Sequence, residues 1–354
     1  MRFRSKFVIA LSAALGLCAA PGYAQHYMQK NLVSDISQPD NPDGTKVLVD
    51  PNLKNPWGLT RSAMSPWWVS NNNSGTSTIY DGSGIPLNFI SEADSSKGNF
   101  VTVPTFPSAP AGSFGHPTGI VYNGVATDFI LDKGMPNSLP AVFIFVGEDG
   151  IISGWNPGAN VPQGGSPPSP NVVREIDNSA GGSDRGAVYK GATLAILNGK
   201  RYLYVTNFRS GKVEVYDSHF TRVHLGEDAF DVQNDRDHDR DDEIRIPRGF
   251  APFNIQNIGG SLFVTYARQD SDRHDDVPGA GSGFVEIFTP GGRHIGHLQH
   301  GPWMNSPWGV VWTPRDFGRF SNSILVGQFG SGWIAAFNGF TYKFEGFLRT
   351  WTIH

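Results

Sequence analysis

NPWGL at residues 55–59 returns as HPTGI at 116–120 and as SPWGV at 306–310, with weaker copies YKGAT at 189–193 and APFNI at 251–255. Successive copies lie 61, 73, 62 and 55 residues apart. Behind each opener the same order follows: an apolar strand, a Gly or Asn turn, and another apolar strand. The second strands read WWVSN (67–71), VFIFVGE (142–148), RYLYVTN (201–207), SLFVTY (261–266) and SILVGQ (323–328). The third strands read TSTIYD (76–81), GIISGWN (150–156), GKVEVYD (211–217), GFVEIFT (283–289) and GWIAAFN (332–338). Between them lie NNSG, DG, FRSG and FGSG, turns in which Gly supplies the positive φ of a hairpin. Fourth-strand candidates are PLNFIS (86–91), NVVREI (171–176), HIGHLQ (294–299) and KFEGFL (343–348). Three or four antiparallel strands repeated at this period describe the blades of an all-β propeller. A sandwich would not repeat one motif order five times.

Composition agrees. Gly 43 and Pro 25 of 354 residues punctuate the chain too often for a helical fold, and charged residues make up only 17%. Two stretches interrupt the blade rhythm. Residues 157–170 (PGANVPQGGSPPSP) and 234–245 (NDRDHDRDDEIR) read as surface loops, because the pattern resumes after each.

Residues 1–24 carry Arg2, Arg4 and Lys6, then an apolar run from Phe7 to Ala20, then Gly22-Tyr23-Ala24. This is the form of a secretory signal peptide cut after Ala24, so we expect an exported protein, periplasmic or extracellular, with one propeller domain over 25–354. A lipoprotein modified at Cys18 is disfavoured by Leu17 in front of it. Removing the segment removes Cys18, the single cysteine, and three cations, leaving 25 Lys and Arg against 32 Asp and Glu, a net −7. Such a balance disfavours nucleic-acid partners. No later apolar run is long enough to span a bilayer as a helix.

The longer motifs resemble one group of proteins. NLVSD (31–35), DPNLKNPWGL (50–59), GTSTIYDGSG (75–84), GAVYKG (186–191), GFAPFNIQNIGGSLFVTYARQD (249–270), DDVPGAGSGFVEIF (275–288) and SPWGV (306–310) look like an uncharacterised family of secreted bacterial proteins. That family is described as a predicted six-bladed β-propeller of unknown function. The resemblance covers about residues 30–349 and implies export and a propeller, but no catalytic residues. It also implies six blades. Five are identifiable here, with the last truncated, and NLVSD is the strand expected to close the last blade.

The openers place Trp57, Thr118, Lys190, Phe253 and Trp308 at equivalent positions, which predicts an aromatic ring with one cation at a channel mouth. Such a ring suits sugars or other small organic ligands, and equally suits packing between blades. Lys190 is expected to be solvated there or paired with an acid. The second strands end in Asn71, Glu148, Asn207, Tyr266 and Gln328, whose oxygens, if convergent, would hold a hard cation such as Ca²⁺. Asp270, Asp272, Asp275 and Asp276, with His274 among them, form an acidic patch that either binds a metal or orders a long loop. The alternate acids Asp235, Asp237, Asp239 and Asp241 lack the Gly of a calcium loop and read as solvated. No G-x-S-x-G elbow and no Walker loop is present. Two readings follow. The first is a scaffold binding a small molecule or an extracytoplasmic protein. The second is a calcium-assisted hydrolase of a lactone or other ester, similar to regucalcin-like propellers by fold only.

Overall fold

Glycine at the openers has a direct structural reason. In the computed structural model, which describes residues 27–88, 98–134, 138–161, 168–180, 186–232 and 246–349, the openers become the innermost strands of five four-stranded antiparallel sheets. The first blade comprises Pro56–Thr60, Trp67–Asn71, Thr76–Tyr80 and Phe100–Thr102. The second comprises Pro117–Tyr122, Phe143–Gly147, Ile151–Trp155 and Val173–Asp177. The third comprises Tyr189–Leu197, Lys200–Asn207, Lys212–Asp217 and Arg222–Val223. The fourth comprises Phe250–Ile258, Ser261–Arg268, Gly283–Phe288 and His294–His297. The fifth comprises Pro307–Trp312, Ser323–Gln328, Ile334–Asn338 and Phe344–Phe347. Strand order within each sheet is the order of the chain, as a propeller blade requires. The described helical content is one 3-10 turn, Gly318–Phe320.

Neighbouring innermost strands approach so closely that a side chain would collide with backbone. A Cβ on Gly58 would strike the Thr118 carbonyl, and one on Gly119 would lie 2.7 Å from the Ala192 nitrogen. One on Gly191 would lie 2.8 Å from the Asn254 Cα. Blades then stack through their faces. Trp68, Ile79, Phe143, Phe145 and Trp155 fill the first interface, and Phe129, Ile144, Tyr189, Leu203 and Tyr216 the second. Tyr204, Phe230, Phe284 and Phe288 fill the third, and Phe263, Ile287, Ile324 and Phe337 the fourth. The junction of the fifth and first blades is built differently. Gly309 has open space around it, Trp57 packs edge-on against Trp308 at 5.5 Å, and Leu59, Val311 and Trp312 are exposed. Gly119→Val is therefore expected to destabilise by about 1–3 kcal/mol through overpacking, whereas Gly309→Ala should stay within about 0.5 kcal/mol. Urea unfolding of the two variants measures the contrast.

The second and third strands fall where the sequence places them. Two expectations need correction. NLVSD does not close the last blade: Val33–Ser34 pairs in parallel with Leu48–Val49, and Leu32 and Val33 pack on the Gly84 turn of the first blade. The N-terminal contact to the fifth blade is made instead by Tyr27, whose amide donates to the Arg349 carbonyl (3.1 Å) and whose ring stacks on Phe317. The outer strand of the first blade is Phe100–Thr102; of PLNFIS, Pro86 bridges to Tyr80 and the Leu87 amide donates to the Ile79 carbonyl (3.0 Å), while residues 89–91 lie outside the described residues. KFEGFL forms the fourth strand of the fifth blade as expected, and five four-stranded sheets occur among the described residues. The signal segment 1–24 and the loop 234–245 lie outside the described residues.

Candidate functional site

Strand pairing fixes which side chains reach the axis. Pro56, Pro117, Tyr189, Pro252 and Pro307 face Asn71, Gly147, Asn207, Tyr266 and Gln328 across the first hairpin of each blade. The next residue on each inner strand is Trp57, Thr118, Lys190, Phe253 or Trp308. The structure brings the aromatic members of this ring together as expected: Trp57 contacts Phe253 (5.8 Å) and Trp308 (5.5 Å) edge-on. Thr118 is fully buried, and its hydroxyl donates to the Tyr189 carbonyl (2.7 Å), so it ties the second blade to the third.

The second expected ring does not converge. Asn71 donates to Thr78 (2.9 Å) and Asn207 to Glu214 (2.9 Å), each within its own blade. Gln328 donates to the Val326 carbonyl and accepts from the Asn305 amide. Tyr266 packs in the layer between the third and fourth blades. Glu148 stands one residue beyond Gly147, the true equivalent of the other four, and in a strand one residue reverses the facing direction. The axial positions are therefore Asn72, Glu148, Phe208, Ala267 and Phe329. Asn72 donates to Glu148 Oε2 (2.7 Å), Phe208 stacks obliquely on Phe253, and Phe329 lies 4.7 Å from Trp57.

Lys190 is the centre of this plug and is only 1% exposed. Its ammonium is ion-paired with Glu148 Oε1 and lies 3.2 Å from Asp275 Oδ1. It also sits 5.1 Å from the Trp57 ring and 5.8 Å from the Phe208 ring, both favourable for a desolvated cation. Trp308 Nε1 donates to the Lys190 carbonyl (3.0 Å). Of the two sequence-level alternatives for Lys190, the pairing with an acid is the one realised.

The acidic patch 270–276 folds over the same mouth. Asp270 Oδ1 accepts from the His274 amide (2.8 Å), and its own amide donates to the Asp275 carbonyl (2.9 Å). Asp275 also meets His274 Nδ1 at 3.1 Å. The hydrogen bond from His274, followed by the Lys190 charge, holds the Asp275 carboxyl well below the usual range. Burial pushes Asp276 upward. Asp272 is exposed and accepts from the Ser271 hydroxyl at 3.5 Å. Asp270 and Asp275 thus make contacts that help to order the loop. Glu148, His274 and Asp275 offer ligand atoms within 4.8 Å of one another, but the Lys190 ammonium already bridges the two carboxylates.

Beside this pair opens a cleft of about 250 Å³ walled by Phe106, Phe114, His116, Glu148, Asp149 and His274. Its floor is the turn between the second and third strands of the second blade. Gly150 takes φ +80 there, and the Glu148 amide donates to the His116 carbonyl (3.0 Å), fixing His116 beside the turn. A Cβ on Gly147 would collide with the Asp149 carboxylate at 2.6 Å, so glycine lets that carboxylate fold inward. Asp149 is 5% exposed, and its Oδ2 finds no hydrogen-bond partner among the described residues. Burial is the largest influence on it and pushes its pKa up to about 6, against smaller opposing pulls from Thr105 and His116. Trp57 Nε1 is likewise buried without a partner among the described residues. Nothing in the local sequence pattern marks Phe106 or Phe114, and His116 stands out only as the first residue of the HPTGI opener.

No family model matches the chain. It is similar to uncharacterized proteins of Acanthamoeba polyphaga mimivirus. One is 33% identical over 247 residues, covering 68% of this chain and 41% of the relative; another is 28% identical over 290 residues, covering 82% and 62%. The chain thus spans only part of the length of these relatives. Among solved structures it is similar to a virginiamycin B lyase from Staphylococcus aureus, with TM-score 0.41 and 11% identity over 80% of this chain and 66% of that one. It is also similar to a nidogen/laminin complex, with TM-score 0.46 and 12% identity over 84% and 81%. Those names describe the neighbours.

Proposed function

We propose that this propeller binds a small polar ligand in the cleft over the Glu148–Gly150 turn, with Asp149 as the recognising group. The observation that carries this reading is the Asp149 carboxylate, which is buried in a concave site with one oxygen unpaired. Buried polar atoms are rarely left unsatisfied, and such an atom in a cleft marks the place of a ligand donor. The ligand class follows from the walls. Two phenylalanines offer apolar faces, while Asp149 and the two histidines offer polar contacts, so an amine or a hydroxyl-rich compound presenting N–H or O–H donors fits best. Around Lys190, Thr118, Phe208 and Phe253 are fully buried, whereas Trp57, Trp308 and Phe329 keep part of their surface exposed, and none of these side chains lines the cleft.

Catalysis is a second reading with one specific support. A carboxyl group with a pKa near 6 beside His116 can exchange protons near neutrality, as a general acid or base must. Calcium-assisted ester hydrolysis has weaker support, because a divalent ion at Glu148 would have to displace the Lys190 ammonium. Export fits the signal-like residues 1–24, and cleavage after Ala24 would be read directly by intact mass of the protein recovered from its host.

A thermal-shift screen against polyamines and simple sugars tests the binding reading. Compounds that raise the melting temperature of the wild type should lose their effect in Asp149→Asn and weaken in Phe114→Ala. Shifts that persist in both variants would move the site elsewhere.

A further inference from the structure

The outer strand of the fourth blade reads HIGH (294–297), and that of the fifth reads FEGF (344–347). The two are the same structural element. In each, the glycine pairs with the middle of the third strand: Ile287 faces Gly296, and Ala336 faces Gly346. In each, the residue before the glycine is an unpaired bulge, Ile295 or Glu345, before pairing resumes at Phe288–His294 and Phe337–Phe344. The bulge matters chemically. Side chains three apart in a regular strand point to opposite faces, and one extra residue returns them to the same face.

At the three positions of that face the fifth blade carries Ala335, Phe344 and Phe347, with the two phenylalanine rings packed edge-on at 5.3 Å. The fourth blade carries Glu286, His294 and His297 instead. Packing alone is satisfied by apolar side chains here, as the fifth blade demonstrates within the same molecule. The fourth blade has replaced all three with metal-ligand types. One ligand atom from each lies within 4.8 Å of the others, and His294 Nε2 is 2.7 Å from Glu286 Oε2. Glu286 is 5% exposed, and the two histidines are half-buried.

We propose that Glu286, His294 and His297 form a binding site for a divalent transition metal ion on the fourth blade. Two imidazoles and one carboxylate suit zinc, nickel, copper or iron far better than calcium or magnesium. Three protein ligands on two hydrogen-bonded strands make a pre-ordered site with a fourth position for water, the arrangement of an open rather than a closed centre. The ion would replace the hydrogen bond between His294 and Glu286. The setting differs from the Glu148 group in the decisive respect: among the described residues no lysine or arginine pairs with Glu286.

The test uses the full mature chain without an affinity tag, stripped with chelator and titrated with Co²⁺ in the visible and with Zn²⁺ in a calorimeter. One equivalent should bind and give the absorption of four- or five-coordinate cobalt. Loss of an orienting partner alone weakens metal sites by about 10–100-fold, so loss of a ligand should cost at least that. His297→Phe and the double change His294→Phe with His297→Phe copy the packing of the fifth blade and should fold while losing the site. His274→Ala should bind as the wild type does. Absence of saturable binding in the wild type overturns the proposal. So does undiminished binding in the double variant, or loss of binding in His274→Ala.

Discussion

Replacing Lys190 with alanine is expected to cost the fold about 3–5 kcal/mol, the range for breaking one partner out of a buried ion pair. The reason is what remains. Glu148 would keep its hydrogen bond from Asn72 but lose the ammonium that neutralises it, in a pocket of Trp57, Phe208 and Phe253. The contribution of Asp275 to the same lysine is far smaller, because its side chain is 65% exposed and water screens the pair. Lys190→Met combined with Glu148→Gln should recover most of the loss. The glutamine oxygen still accepts from Asn72, and methionine fills the lysine stem space without a charge. Urea midpoints for the single and double variants, at unchanged m-value, measure the difference. A single variant costing under about 1 kcal/mol would mean that Glu148 reaches water once Lys190 is gone.

The same pair shows how far the sequence reaches. The opener repeat is legible because inner strands must approach closely around an axis. Gly58, Gly119 and Gly191 stand where backbones meet, and the residue before each of them necessarily points inward. Hence Trp57, Thr118 and Lys190 can be named as a ring from the repeat alone. The strand-end ring fails for a reason that is also physical. Hairpin turns vary in length, so aligning blades by their ends mixes registers. Alignment by strand ends puts Glu148 beside Asn71 and Asn207, whereas pairing makes it the counterpart of Asn72 and Phe208. A shift of one residue exchanges an axial group for one bonded inside its own blade.

Outer strands are harder to read because half of their surface meets water and they are short. Arg222–Val223 is two residues long, and Phe100–Thr102 follows a stretch in which PLNFIS has the better alternation. The histidines at 294 and 297 illustrate the sharpest limit. Their spacing says opposite faces, and only the bulge at Ile295 brings them together. The cleft is obscure for another reason. Its walls come from the 105–114 connection, the second blade and the 270–276 loop, segments far apart in the chain that no local pattern links.

Asp149→Asn is expected to stabilise the protein at neutral pH while abolishing ligand binding. The carboxyl has a pKa of about 6 in the fold against an ordinary 3.8, so the native state holds this proton more tightly than the unfolded chain does. Below pH 3.8 the group is protonated in both states and costs nothing. As pH rises through the window from about 4 to about 6 the unfolded chain ionises first, and stability falls with each step. Above pH 6 the penalty is complete, at about 3 kcal/mol from 1.36 kcal/mol per unit. The asparagine variant should therefore gain up to that amount at pH 7 and nothing well below pH 3.8. Glu175 and Asp276 are also raised and contribute with the same sign, so the quantity to measure is the difference between wild type and variant across the window. Asp275, shifted the other way, loses its contribution only as pH falls below 3.8 and stays out of this range. A fold that keeps a buried carboxylate with Oδ2 unpaired at such a cost gains no net stability from its charge. Stabilisation joined to loss of binding marks Asp149 as a group kept for its ligand, whereas a variant less stable than wild type at pH 7 would assign it a structural role.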